Sequence, residues 1–343
     1  MTSDLATIPV LDRFRRPLRD LRISVTDRCN FRCPYCMPAE IYGDRYQFLP
    51  RESLLTFEEI ARLTRILVKL GVVKVRITGG EPLVRAEIDK LIAMLARVPG
   101  IEDLTMTTNA FLLAQFADKL KDAGLQRITI SLDSLDDEVF RQMNGRNFGT
   151  ERVLEGIEAA DRVGLRPIKI NAVVQRGVND HTLVELARFA QERDYIVRFI
   201  EYMDVGTLNG WKMDDVVPAE EILERIHAEM PLEPVEANYK GEVALRYGFK
   251  DGKGEVGVIA SVTKPFCGDC TRMRLSPEGQ IVTCLFATSG TDLRTPMRDG
   301  ATDDEIEDII RGLWGLRDDR YSEIRTLFTD EPRKKVEMYH IGG

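Results

Sequence analysis

Apolar and polar positions over the first 205 residues alternate between a strand-like and a helix-like period. The segment Leu21-Arg22-Ile23-Ser24-Val25-Thr26 reads as a first strand. A helix follows from about Thr56, where Thr56 and Glu59 have capping-box spacing. Its apolar residues Ile60, Leu63, Leu67 and Leu70 share one face, and Gly71 supplies a stop before a strand over 72–78. The same grammar predicts helices over 111–123 and 150–163, which end at Gly124 and Gly164 before strands over 125–132 and 167–175. Helices over 88–98 and 182–194 lead into strands over 103–107 and 196–202.

Six βα-type units imply a parallel sheet with right-handed crossovers. They fall short of the eight of a closed barrel, so the expectation is an α/β fold built on an open, partial (β/α)6 barrel of TIM type. After about residue 205 the rhythm changes. Segments 243–249, 255–262 and 271–285 look antiparallel, with Ser276-Pro277-Glu278-Gly279 as a turn, and a helix is expected near 303–313. The chain therefore divides into a barrel over 1–205 and a smaller C-terminal extension over 206–343.

Composition narrows the function classes. Of 343 residues, 43% are hydrophobic and 30% charged, the balance of a folded soluble protein. The net charge of -8 argues against nucleic acid or an anionic membrane as partner, so an anionic substrate needs a local basic pocket. No apolar run has transmembrane length, and residues 1–10 lack the pattern of a signal peptide, which points to the cytoplasm. Oligomeric state, monomer or homodimer, is not legible.

The six cysteines form two triplets, Cys29, Cys33, Cys36 and Cys267, Cys270, Cys284, separated by about 230 residues without a cysteine. In a reducing compartment such clusters read as metal ligands before disulfides. The first triplet, spaced x3 and x2, lies in a loop just after the first strand. Three thiolates can hold a cubane iron–sulfur cluster and leave one iron without a protein ligand. Zinc is the alternative, but structural zinc wants four ligands, and the only histidines are His181, His227 and His340.

This triplet, with Tyr35 before its last cysteine, resembles the radical SAM superfamily motif. Gly79-Gly80-Glu81-Pro82, one βα unit later, resembles that superfamily's SAM-binding turn. The resemblance implies that the methionine part of SAM chelates the open iron and that an electron from the cluster breaks the sulfonium C–S bond. A 5′-deoxyadenosyl radical then abstracts hydrogen from the substrate. It also implies SAM contacts at Gly80, Ser131 and Met203, with Tyr35 beside the adenine. Thr107, Thr108, Asn109, Ser131 and Asp133 end predicted strands, where barrel enzymes place their sites. A helix cap for Ser131 or Asp133 and core packing for Met203 are the plainer readings.

Parallel strands buried on both faces should be almost wholly apolar. Here Lys74 and Arg76 share one face of the second strand, and Arg22, Lys169 and Arg198 lie in three others. If that face points inward, several cations converge, and a polyphosphate would satisfy them. The plainer reading puts them at strand ends, exposed or paired with carboxylates. No Walker-type loop is present.

In the second triplet, Cys270, Arg272 and Arg274 alternate on one strand face, and the Pro277–Gly279 turn returns the chain to Cys284. Matching stretches now extend over nearly the whole chain. They include Asp27-Arg28-Cys29-Asn30-Phe31-Arg32-Cys33, Arg76 to Pro82, Met143-Asn144-Gly145-Arg146, Arg198-Phe199-Ile200-Glu201 with Met203-Asp204, and the final Gly342-Gly343. Together they resemble the GTP 3′,8-cyclase family of molybdenum cofactor biosynthesis.

That resemblance implies two 4Fe–4S clusters with SAM, and GTP as substrate. Arg22, Lys74, Arg76, Lys169 and Arg198 would hold the triphosphate, with Thr107 in contact. Guanine would approach the open iron of the second cluster near Arg272, Met273 and Arg274. Hydrogen abstraction from ribose C3′ would lead to bonding at guanine C8. Gly342 and Gly343 would reach into the active site for turnover, where a lone terminus would otherwise read as frayed. A low-potential electron donor and the downstream cyclic pyranopterin monophosphate synthase are the implied partners. Thr271 departs from the asparagine frequent beside the second cysteine. Two other readings stay open: a peptide-modifying radical SAM enzyme with an auxiliary cluster, and a non-catalytic zinc or iron–sulfur module.

Overall fold

A computed structural model describes residues 9–325 and 334–343. The sequence reading of the N-terminal segment falls largely on residues 1–8, outside the described residues. The barrel half runs β1 (Asp20–Ser24), α1 (Phe57–Lys69), β2 (Lys74–Thr78), α2 (Ile88–Ala96), β3 (Asp103–Thr108), α3 (Leu113–Asp122) and β4 (Arg127–Ser131). It continues through α4 (Asp137–Asn144), α5 (Glu151–Arg162), β5 (Ile168–Val174), α6 (Leu183–Glu192) and β6 (Ile196–Glu201). The remainder is α7 (Ala219–Glu229), β7 (Leu232–Val235), β8 (Leu245–Phe249), β9 (Glu255–Ile259), β10 (Arg272–Leu275), β11 (Gln280–Val282) and β12 (Thr291–Asp292). Helices α8 (Arg294–Arg298), α9 (Asp303–Gly315), α10 (Tyr321–Ile324) and α11 (Met338–Ile341) complete the described chain.

Local chemistry explains the helix boundaries. Thr56 and Glu59 form the expected capping box at α1, and Ile60, Leu63, Leu67 and Leu70 are buried on its inner face. Each such apolar side chain contributes about 1.5–3 kcal/mol relative to exposure. Gly71 has φ +114°, which suits glycine alone at the helix stop. A second capping box, Thr302 with Glu305, starts α9. Helices α4 and α7 were not expected. The eight-residue α4 opens on the Asp136 cap, whose carboxylate accepts from Glu138 N and Val139 N, and α7 has 11 residues with no side-chain cap.

One twelve-stranded sheet runs β12-β11-β10-β1-β2-β3-β4-β5-β6-β9-β8-β7 and does not close, as expected of an open barrel. The antiparallel reading of 255–262 and 271–285 needs correction. β9 lies antiparallel to β8 but parallel to β6. β10 lies antiparallel to β11 but parallel to β1. Hairpin turns are readable from local sequence, whereas docking on a distant edge is not. The parallel run therefore spans β10, β1 to β6 and β9, and the C-terminal segments extend both edges of it. The outer face packs on the helices through a core that includes Leu21, Ile23, Ile77, Ile130, Ile170 and Phe199.

Candidate active site

Strand register builds the inner face. Arg22 aligns with Arg274 of β10 on one side and with Arg76 of β2 on the other. Three guanidinium side chains thus stand in a row across adjacent strands. Further round, Thr107 pairs with Thr129, Thr129 with Lys169, and Asn171 with Arg198. The first cysteine loop follows the C-terminal end of β1. Cys267 and Cys270 precede the N-terminal end of β10, which is parallel to β1, and Cys284 follows β11, which is antiparallel to β10 and so returns to the same end. The five residues of β1 separate the two ends by roughly 16 Å at ~3.3 Å per residue.

Both ends open on one cavity of about 270 Å³. All six cysteines line it, together with Tyr35, Gly80, Ser131, Met203, Arg22, Arg76, Thr107, Arg198, Arg272, Arg274 and Gly343. Four predicted residues are not in that lining. Met273 alternates with its arginine neighbours and is buried in the core. Lys74 pairs with Asp20 and Asp103, each at 3.6 Å, and donates to Tyr239 Oη at 2.8 Å. That is the carboxylate-paired strand-end arrangement, built by the register Asp20–Lys74–Asp103. Lys169 and Gly342 are likewise absent from the lining, whereas Gly343 is part of it.

The remaining cations have no such partner. Arg76 Nη1 donates to Thr107 Oγ1 at 2.8 Å and Thr129 Oγ1 at 3.0 Å, and Arg198 Nε donates to Asn171 Oδ1 at 3.0 Å. These acceptors are neutral. Among the described residues, the side chains of Arg22 and Lys169 have neither a hydrogen-bond nor an ion-pair partner. Burial, and then the neighbouring cations, push Arg22 and Arg76 down to about 9, Arg198 to about 10 and Lys169 to about 7. Arg274 is held well below its ordinary value by burial, Arg22 and Arg272. All five shifts run against the charged form, the direction imposed by burial and by neighbouring cations.

At the C-terminal end, the glycine turn locks onto the cysteine loop. Gly80 N donates to Thr26 O and Glu81 N to Arg28 O, both at 2.8 Å. A Cβ on Gly80 would lie 2.4 Å from Arg28 O, so only glycine permits this approach. Glu81 accepts from Thr108 Oγ1 (2.7 Å), Asn109 N (2.7 Å) and Leu83 N (3.0 Å), while burial pushes its carboxyl up to about 7. Asp133 is no helix cap. It accepts from Tyr35 Oη (2.7 Å) and Val173 N (2.9 Å), and burial raises it to about 6. Met203 faces the cavity and not the core.

The six cysteines are free thiols. Burial pushes Cys33 up, and Asp133, Cys29 and Cys36 add smaller contributions in the same direction. Burial, and then Asp319, lift Cys284 to about 12, with smaller contributions from Cys270 and Cys267. Cys270 is also raised by burial, but Arg272 and Arg317 more than offset this and bring it to about 6. Arg272 donates to Cys270 Sγ at 3.4 Å from Nε and 3.3 Å from Nη2. Among the described residues, no three His, Cys, Asp or Glu side chains converge as they would on a single ion. Three soft donors facing a cavity from separate positions fit a cubane, which presents a different iron to each.

The C-terminus is docked, not frayed. Arg274 Nη1 donates to Gly342 O and, at 3.4 Å, to Ile341 O. Tyr339 and Ile341 are buried, Tyr339 against Met37 and Tyr42. Glu337 accepts from Thr207 N at 2.9 Å, and Tyr46 and Tyr339 hydroxyls meet at 3.0 Å. Segments 38–50 and 206–215 therefore hold the tail. Thr271, the departure noted above, donates to Asp20 Oδ2 at 2.6 Å. Sequence reasoning missed Asn171 and Arg317. Asn171 was within reach, since it stands two residues from Lys169 on the same strand face.

The chain matches the Radical SAM superfamily over residues 23–190 and the Molybdenum Cofactor Synthesis C family over residues 195–323. It is 51% identical to a GTP 3′,8-cyclase of Acidothermus cellulolyticus, covering 98% of this chain and all of the relative. It is 49% identical to a GTP 3′,8-cyclase of Staphylococcus saprophyticus, covering 97% and 99%. In fold it is similar to the crystal structure of Streptococcus suis SuiB bound to S-adenosylmethionine, with a TM-score of 0.62 at 18% identity, covering 94% of this chain and 72% of that one. With about half of its residues identical to these relatives along nearly its whole length, the chain belongs to the GTP 3′,8-cyclase family of radical SAM enzymes.

Proposed function

We propose that this protein converts GTP to (8S)-3′,8-cyclo-7,8-dihydroguanosine 5′-triphosphate, the first step of molybdenum cofactor biosynthesis. A 4Fe–4S cluster sits on each cysteine triplet, and SAM binds at the first. The observation that carries this reading is one cavity lined by two three-thiol sites and by cations that lack carboxylate partners. When bound, the first cluster and SAM supply one electron and a 5′-deoxyadenosyl radical.

The chain's own residues bind, orient and shield. Gly80 keeps the turn against the cysteine loop, and Tyr35, Ser131 and Met203 surround SAM. Arg22, Arg76, Lys169 and Arg198 hold the triphosphate with Thr107. Each charge-assisted contact contributes about 1.5–3 kcal/mol. Lys74 acts from behind, tied to Asp20 and Asp103. Guanine lies toward Arg272 and Arg274, and Met273 contributes backbone alone. Gly343 forms part of the cavity wall and Gly342 anchors it, which helps to exclude water. Arg274 orients that tail.

A low-potential donor feeds the reaction, and cyclic pyranopterin monophosphate synthase consumes the product. Among the described residues no helix is long and apolar enough to cross a membrane. Six free thiols suit the reducing cytoplasm. A peptide substrate would leave Arg22 and Lys169 without a use, which weighs against the peptide-modifying reading.

The test is anaerobic incubation of reduced, reconstituted protein with SAM and GTP deuterated at ribose C3′. Deuterium should appear in 5′-deoxyadenosine, and a guanine-derived cyclic product should accumulate. SAM cleavage without either would overturn the proposal. Iron analysis decides the metal-module alternative, with about eight irons per chain expected for two cubanes.

A further inference from the structure

Behind the second triplet lies a buried ionic network formed by residues distant in sequence. Asp12 Oδ2 accepts from Arg16 Nε at 2.5 Å and from Arg317 Nη1 at 3.0 Å. All three side chains are at most 2% exposed. Asp12 Oδ1 also accepts from Arg16 N (2.8 Å) and Phe14 N (3.0 Å), which fixes the turn that carries it.

The arginines are turned toward the cysteine backbone. Arg16 Nη1 donates to Cys267 O at 2.6 Å and to Asp319 O at 2.9 Å. Arg317 Nη1 donates to Cys270 O at 2.9 Å. Arg317 Nε donates to Thr283 O, the residue before Cys284, at 3.2 Å, and to Asp319 Oδ2 at 3.2 Å. Thus two guanidinium groups grip the main chain at all three cysteine positions. Trp314 stacks under Arg317 at 4.5 Å, and its Nε1 donates to Arg16 O at 3.1 Å.

Two buried arginines on neutral carbonyls are a costly way to hold a loop, since neutral donors would serve as well. Asp12 balances part of the charge from the far side. Asp319, 30% exposed, balances part from the cavity side, where water screens it. The carbonyls themselves face the cations.

We propose that Asp12, Arg16 and Arg317 are positioning residues that mount the second thiolate triplet and set the reduction potential of the cluster it holds. The inference rests on the two-cluster reading above. A cation close behind the ligands favours the reduced, more negative cluster, and the buried carboxylate opposes it. Removing each must therefore move the potential in opposite directions. General structural damage has no reason to do so.

The experiment is an anaerobic redox titration of the reconstituted full chain, followed by electron paramagnetic resonance. The two clusters are separated by which signal SAM perturbs. Asp12→Asn, nearly isosteric, should raise the potential of the SAM-insensitive cluster. Arg317→Gln, which keeps hydrogen-bond donors, should lower it. At fixed potential each change should alter the ratio of reduced to oxidised cluster about tenfold, or ~59 mV for one electron. The SAM-sensitive cluster should stay in place.

Shifts of the same sign, no shift, or equal movement of both clusters would overturn the inference. Asp12→Asn decides alone if Arg317→Gln fails to fold. A wild-type chain with only one signal and about four irons would instead overturn the two-cluster reading on which this rests.

Discussion

Gly342→Ala is the sharpest probe of the docked tail. Gly342 has φ +72°, and a Cβ there would lie 2.1 Å from Thr78 Cγ2 and 3.1 Å from Thr78 Oγ1. Thr78 ends β2, and its carbonyl accepts from Val25 N at 3.0 Å, so the strand cannot yield. The unfavourable backbone costs about 1–3 kcal/mol, and losing the Arg274 hydrogen bond to Gly342 O costs about 1.5–3 kcal/mol. Together, at about 1.4 kcal/mol per tenfold, the docked population falls by roughly two to four orders of magnitude. Hydrogen exchange at 338–343 should rise and GTP turnover should fall, while thermal unfolding of the barrel stays near wild type. Thr78→Ser removes the offending methyl and should partly restore both in the double variant. Gly343→Ala, whose Cβ meets only the flexible Met338 side chain, with Sδ at 2.9 Å and Cγ at 3.2 Å, should be milder. Undiminished protection and turnover in Gly342→Ala would refute the reasoning.

Three further outcomes are expected. Arg76→Ala or Lys169→Ala should weaken GTP binding by about 10- to 100-fold, from ~1.5–3 kcal/mol per charged contact, and barely affect guanosine. Lys74→Ala should cost less, because its ammonium is already shared with two carboxylates; calorimetry separates the two cases, and an equal loss would contradict the pairing. Lys169, lowered to about 7 mainly by burial and then by Arg198, sheds its proton as pH rises through that value, and a bound polyphosphate reverses the shift. GTP binding between about pH 7 and 8 should therefore take up a proton, read by calorimetry in buffers of different ionisation enthalpy, and Lys169→Gln should remove most of the uptake. Thr302→Ala removes the α9 capping box and should lower urea stability by about 1 kcal/mol, with turnover unchanged.

Much of the site was legible because its signals are local. Cysteine spacing, the Gly79-Gly80 turn and cations in buried strands each need only a few consecutive residues and the strand period of two. The helix stop at Gly71 and the cap at Thr56 are decided within one turn of chain. What was not legible depends on partners far away. Lys74 could not be told from Arg76 by its own strand, because Asp20 and Asp103 neutralise it only once three strands align. The second triplet's mount joins Asp12 to Arg317 across 305 residues.

The amino-acid order alone settled the repeating units, the open barrel and the two thiol sites, since backbone geometry ties each to short-range pattern. Tertiary packing decided that β10 and β9 extend the barrel in parallel and that both triplets face one cavity. It also decided which cations remain without a carboxylate. Those outcomes depend on which distant edges and charges meet, and no local period encodes that.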